Sequence, residues 1–350
     1  MSIIRQKKYP WYWFIFLSLA ISVSASEEDE HFLDASLEEI LSIPLDTNAV
    51  NIQESHIHKE GEWMVGYRYM YMGMAGNLYG ENSISQRDIL KKYAMTPLSM
   101  DMEMHMGSLM YAPSDDVTLM AMLPYKFNDM NIVTRMGQRF STHSEGLGDL
   151  KLMINGVAFR TRWDEHLISL KGGISIPTGS INQRGDTPMG KNQRLPYPMQ
   201  LGSGTVDFLP GISYQGLSRD WSWGAQMIGT IRTGKNDNQY RLGDRLDGSA
   251  WLSRIWDSWF STSIRMKGMW WGDIHGADPQ LMATMSPTAD PQIRGGKRID
   301  MLLSVELYAP DGTLKGQHLG FEIGLPVYQS LDGPQLETDW VISGGWQWTF

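Results

Sequence analysis

From residue 62 to the carboxy terminus, apolar and polar positions alternate with a period of two, interrupted at intervals by turn residues. Such alternation marks extended strands whose two faces meet different surroundings. The last run is the clearest. Trp340, Ile342, Trp346, Trp348 and Phe350 share one face, against Asp339, Ser343, Gln347 and Thr349 on the other. The same contrast sets Ile299, Met301, Leu303, Val305 and Leu307 against Asp300, Ser304 and Glu306. It also sets Leu319, Phe321, Ile323 and Leu325 against Gly320, Glu322 and Gly324.

The pattern predicts about twelve strands, near 62–74, 99–112, 117–132, 147–160, 166–177, 205–216, 221–233, 246–256, 259–272, 298–309, 318–328 and 339–350. Long connections (75–98, 133–146, 178–204, 234–245, 273–297 and 329–338) alternate with tight polar turns such as Pro113-Ser114-Asp115-Asp116 and Pro310-Asp311-Gly312. The predicted fold is therefore all-β: a transmembrane up-and-down antiparallel barrel with short periplasmic turns and long outer loops. A soluble sandwich gives no reason for loop lengths to alternate, and closure satisfies every backbone group in lipid. Pro124, Pro210 and Pro326 fall inside predicted strands and call for bulges or early strand ends. Strand 246–256 alternates poorly, because Arg254 shares a register with Leu252 and Ala250.

Ahead of the barrel, residues 1–25 read as a signal peptide. Arg5, Lys7 and Lys8 precede a short apolar run, and Val23-Ser24-Ala25 offers a cleavage site. Residues 26–61 read as a periplasmic segment in which Leu33, Leu37, Ile40 and Leu41 form one face of a short helix. A linker helix and a plug in the barrel mouth both fit it. Domain 62–350 is the barrel. Loss of the signal shifts the formal charge from −9 to −12, which argues against a nucleic-acid partner. There is no cysteine, so thiolate metal sites and cysteine nucleophiles are excluded.

Strand parity assigns the inner face. Arg68 would cost about 2–4 kcal/mol at the lipid midplane, so Met64, Arg68, Met70, Met72 and Met74 are expected to face the lumen. The same logic sends Asp101, Glu103 and His105 inward and Met100, Met102, Met104, Met106 and Met110 onto lipid. In the next strand Met120, Met122 and Lys126 face inward. His56 and His58 share the parity of Glu62 at the periplasmic approach. Fourteen of the 24 methionines lie between residues 64 and 136, and thioether and imidazole ligands suit copper-like ions. The candidate metal set is thus His56, His58, Met64, Met70, Met72, Met74, Asp101, Glu103, His105, Met120 and Met122. Methionine is equally a flexible filler of barrel interiors. The expected pore lining is Arg68, Lys126, Lys151, Lys171, Asp207, Arg232, Arg265, Lys267, Asp300, Glu306 and Glu322.

Ser144-Glu145-Gly146-Leu147-Gly148-Asp149-Leu150, Leu123-Pro124-Tyr125 and Ser175-Ile176-Pro177-Thr178-Gly179 resemble motifs of an outer-membrane barrel family named for the meta-cleavage pathway of phenol degradation. The resemblance implies a channel or transport role and supplies no catalytic residues. The methionine density departs from the broader family pattern, so an aromatic substrate does not follow from it.

The expected protein is a bacterial outer-membrane channel or transporter for a small solute, either apolar, aromatic or a soft metal ion such as copper. It needs no resident cofactor, and its partners are outer-membrane lipid and the barrel-assembly machinery. Two alternatives are a barrel enzyme of lipase type and a structural or adhesive barrel. His166 and His318 lie near serines, but no nucleophile motif frames them.

Overall fold

The computed structural model describes residues 57–161 and 165–350. The expected signal peptide, the helix near residues 33–41 and His56 lie outside the described residues. The wall is one antiparallel sheet built from β1 (Trp63–Gly80), β2 (Met95–Ser114), β3 (Val117–Thr134), β4 (Arg139–Leu147) and β5 (Leu150–Arg160). It continues through β6 (His166–Ile176), β7 (Asp207–Phe208), β8 (Gly211–Leu217), β9 (Trp221–Arg232), β10 (Arg245–Asp257), β11 (Phe260–Trp271), β12 (Gly296–Tyr308) and β13 (Gln317–Thr349).

The sheet closes where β1 meets the end of β13, with Met64 opposite Thr349 and Tyr71 opposite Ile342. Two reciprocal bonds of 2.9 Å between Trp63 and Phe350 seal the seam. β13 folds back on itself: its first half pairs with β12 up to Leu331, and its second half pairs with β1 from Leu331 onward. The expected 329–338 loop is therefore a continuous strand hairpin. β4 with β5, and β7 with β8, each form one interrupted stave, so the wall has twelve crossings.

The surface is apolar outside and polar within. Leu303, Phe321, Ile323 and Leu325 are more than half exposed, whereas their neighbours Ser304 and Glu322 are each 4% exposed. A band of exposed aliphatic and aromatic side chains this extensive is incompatible with water and suited to lipid. The chain is an outer-membrane-type β-barrel, and its place is the bacterial outer membrane.

Each flagged proline sits at an irregularity. Gly148, between β4 and β5, donates to the Pro124 carbonyl at 2.8 Å where the fourth stave breaks. Pro210 separates β7 from β8. The pairing of β12 with β13 slips beside Pro326. Arg254 resolves the poor alternation of β10. Its guanidinium lies over the rings of Trp221 (5.1 Å) and Trp256 (5.6 Å) and pairs with Asp220 at 3.1 Å, a charged tip reaching out from an aromatic girdle.

The outer loops carry more structure than the turn residues suggested. The expected 133–146 loop is largely β4, which extends the β3 ladder from Val133↔Arg139 to Tyr125↔Leu147. Residues 75–98 hold helix α1 (Gln86–Lys92), capped by Ser85, which accepts from Asp88 N–H at 3.2 Å. Lys91 and Ser85 hold the Asp88 carboxyl below its ordinary range.

Candidate functional site

The inner wall of β1–β3 is made of methionine. In-register pairing aligns Met64, Met110, Met120 and, on β5, Met153 across four adjacent strands. Higher up, Met70 lies opposite Met104 and Met72 opposite Met102. Met74, Met100 and Met130 form a third row. Met64, Met110, Met120, Met122 and Met153 are buried together with Leu209, and Met106 packs against them. Met100 and Met130 are buried with Ile132, Leu195 and Met199 in a second cluster, against which Met74, Met95 and Met102 pack.

The placement of Asp101, Glu103 and His105 corrects the expectation. They occupy the outer face of β2, and Met100, Met102, Met104, Met106 and Met110 face inward. Tyr71, stacked on Trp340 at 4.8 Å, donates its hydroxyl to Asp101. His105 Nδ1 lies 2.6 Å from the Tyr67 hydroxyl, and its ring meets Phe127 edge-on at 5.7 Å. The physical reason is height. At about 3.4 Å per residue and a tilt near 40°, Asp101, level with Gly73, stands roughly 26 Å above the Trp63 girdle, against an apolar band about 25 Å tall. Outward charge at that level meets water rather than hydrocarbon. His105 sits lower, inside an aromatic belt where an imidazole held by a tyrosine hydroxyl is well accommodated.

His58 is buried beside the first strand, where its backbone N–H donates to Thr118 Oγ1 at 3.1 Å and its ring lies 3.6 Å from Glu62. Among the described residues no three His, Cys, Asp or Glu side chains are arranged to hold a metal ion. The thioether part of the candidate metal set is brought together in the lumen; among the described residues, its imidazole and carboxylate part is not.

The rest of the inner wall carries charges, most of them paired, and all eleven expected pore residues project inward, Arg68 and Lys126 from the methionine strands themselves. Arg265 forks onto Glu322, with Nε 3.0 Å from Oε2, and Ser304 donates to the same carboxylate at 3.1 Å. Arg68 approaches that carboxylate to 3.9 Å from the methionine side. Asp207, fully buried, pairs with Arg232, and Lys171 donates to Gln226 at 3.0 Å. Arg298 pairs with Asp300 at 3.0 Å and reaches Met72 Sδ at 3.5 Å, so the two walls touch there. Lys126, Lys151, Lys267 and Glu306 complete the inner set, Lys126 on β3, Lys151 on β5, Lys267 on β11 and Glu306 on β12. Sequence reading missed the pair Arg245–Asp247 (2.6 Å), hidden in the poorly alternating β10, and Arg298. Met153 shares the parity of Lys151 and was legible on that ground.

The segment 177–205 enters the lumen from above, before the chain rejoins the wall at β7. Leu195 and Met199 are fully buried against the upper methionines, while Leu209, a wall residue between β7 and β8, joins the lower cluster. The segment is anchored at the stave break. Asp149 accepts from Gly179 N–H at 3.0 Å and from Ser203 N–H at 2.7 Å. Lys126 Nζ donates to the Leu201 carbonyl at 2.9 Å. Gly202 is required here, because a Cβ would collide with Asp149 and the Gly179 backbone. The Gly-Leu-Gly-Asp-Leu stretch is thus the point where wall and loop are joined.

Above lies a cap. Tyr197 meets Tyr240 edge-on at 5.0 Å, its hydroxyl accepts from Asp278 N–H at 3.1 Å, and Arg194 pairs with Asp278 at 3.3 Å. Burial pushes the Tyr240 phenol up to about 12. Outside this site, His166 is stacked on Tyr214 with Nδ1 2.9 Å from its hydroxyl, and His318 meets Tyr308 edge-on at 4.1 Å. These contacts are aromatic.

Among solved structures, an outer-membrane channel from Pseudomonas putida F1 matches over 84% of this chain and 97% of its own, at 12% identity and a TM-score of 0.59. The P. putida toluene transporter TodX covers 87% of this chain and 92% of its own, at 8% identity and a TM-score of 0.39. The first likeness establishes the barrel fold; the second is too loose to carry an argument. No family model and no curated protein sequence matches the chain.

Proposed function

We propose that this protein is a narrow outer-membrane channel for a small solute, filtered by the segment 177–205 seated in its lumen. The observation that carries the reading is the anchoring of that segment. Asp149 and Lys126 hold it from the wall, and its Leu195 and Met199 are buried against the upper methionine cluster. Twelve strands enclose more room than the eight whose interior side chains fill completely, and less than the sixteen of an aqueous porin. The channel role fits both the likeness to the P. putida channel and the resemblance to the meta-cleavage family, which is part of this proposal. The charged wall would keep the path wet, and the methionine wall would favour polarisable or apolar cargo.

The test is single-channel recording in planar bilayers. Wild-type protein is expected to show small openings, and a variant in which residues 184–194 are replaced by a short glycine-serine linker is expected to conduct several-fold more. Silence from both variants, in protein shown to be folded, would refute the channel.

A further inference from the structure

We infer that the methionine wall is a thioether pathway for a soft monovalent metal ion of the Cu(I) or Ag(I) class, a statement about cargo that rests on the channel reading. The argument is a partition. From the Met64 row to the Met74 row, every apolar side chain that β1, β2 and β3 turn inward is a methionine, apart from Pro124 opposite Met106. Over the same span the outward apolar positions are Trp, Tyr, Phe, Leu, Val and Ala, with no methionine among them. Mere filling of space does not distinguish the faces so sharply, since leucine and isoleucine fill barrel interiors equally well. Nor is methionine barred from lipid in this protein: Met227 and Met266 are about half exposed on the outer surface of β9 and β11. What differs on the inner face of β1–β3 is the sulfur.

The geometry suits the chemistry. Directly opposed residues on antiparallel strands have Cβ atoms about 4.5–5.5 Å apart, so flexible thioethers of one row can converge on a single ion. Met64, Met110, Met120 and Met153 form such a row, and the pairs above it continue the sulfur lining toward the cap. A neutral thioether binds soft cations and discriminates against hard ones, and several weak sites in succession allow an ion to move along the wall.

The experiment uses full-length protein in detergent and monovalent silver as the probe, which needs no reductant. Silver affinity is measured by competition with a chromogenic chelator for wild type, for the inward fourfold variant Met64→Leu, Met110→Leu, Met120→Leu, Met153→Leu, and for the outward double variant Met227→Leu, Met266→Leu. The inward variant is expected to bind silver about tenfold more weakly or worse, and the outward variant to match wild type. Selenomethionine-labelled wild type supplies a readout independent of any variant: selenium-edge absorption with silver added is expected to show a silver neighbour. Equal binding by wild type and the inward variant, or selenium without a silver neighbour, would overturn the inference. Planar-bilayer conductance separates the two levels. Open channels that bind no silver leave the channel reading standing and remove the metal. A folded, silent barrel that binds silver would overturn both the channel and the pathway, leaving a bound ion only.

Discussion

Lys126 and Leu201 are joined by a bond from an ammonium to a backbone carbonyl, 2.9 Å long, that ties the third strand to the segment filling the lumen. A charged donor of this kind contributes about 1.5–3 kcal/mol when both partners are sequestered. Lys126→Met keeps the length of the side chain and removes the donor. The expected result is a barrel of nearly unchanged thermal stability, with a higher open probability in planar bilayers.

Asp149 holds the same segment by two backbone N–H groups and is the more consequential anchor. Asp149→Ala is expected to raise conductance further than Lys126→Met. Asp149→Asn, which retains one acceptor oxygen, should fall between Asp149→Ala and wild type. Limited proteolysis between residues 180 and 200, applied from outside, provides a second measure: cleavage should speed up in the same order.

The fork of Arg265 on Glu322 is buried on both sides and braced by Ser304. Removing one partner strands a charge in the wall, a loss of about 3–5 kcal/mol. Glu322→Leu should therefore lower the midpoint of denaturant unfolding in detergent sharply. The double change with Arg265→Leu should recover part of it.

Absence of cysteine makes the two faces of β2 directly testable. Asp101→Cys should react with a membrane-impermeant maleimide on intact cells, whether or not the lumen is blocked. Met102→Cys, one residue along, should react slowly and be shielded by the inserted segment. Equal reactivity would contradict the assignment of the faces.

The cap responds to alkali through Tyr240, whose phenol is pushed up to about 12 by burial. Because the folded state holds that proton more tightly than an exposed tyrosine does, the cap is undiminished below pH 10. It loosens as pH rises from about 10 toward 12. Conductance recorded across that window should rise, and Tyr240→Phe, which has no proton to lose, should flatten the rise.

Much of the wall was legible because lipid imposes a two-residue code. β12 and both halves of β13 display it plainly, and Arg68 oriented β1 correctly. The same rule misassigned β2, because it treats every outward charge as a lipid-facing one. Asp101 lies on a strand long enough to climb out of the hydrocarbon, with Glu103 just below it, and strand height is not written in alternation. The lumen segment was opaque for another reason. Leu195, Met199 and Leu201 are buried by contacts with strands distant in sequence, so no local period announces them. The Arg245–Asp247 pair was lost where β10 runs out of clean alternation.

The seam between β1 and β13 sets a rule for biogenesis. Trp63 and Phe350 trade hydrogen bonds, so the first wall strand gains its second neighbour only when the far half of β13 pairs with it. Until then both sheet edges are bare, and a bare edge in an aqueous compartment recruits other chains. Ring closure and the burial of both edges are therefore one event, with the Trp63–Phe350 pair as its latch.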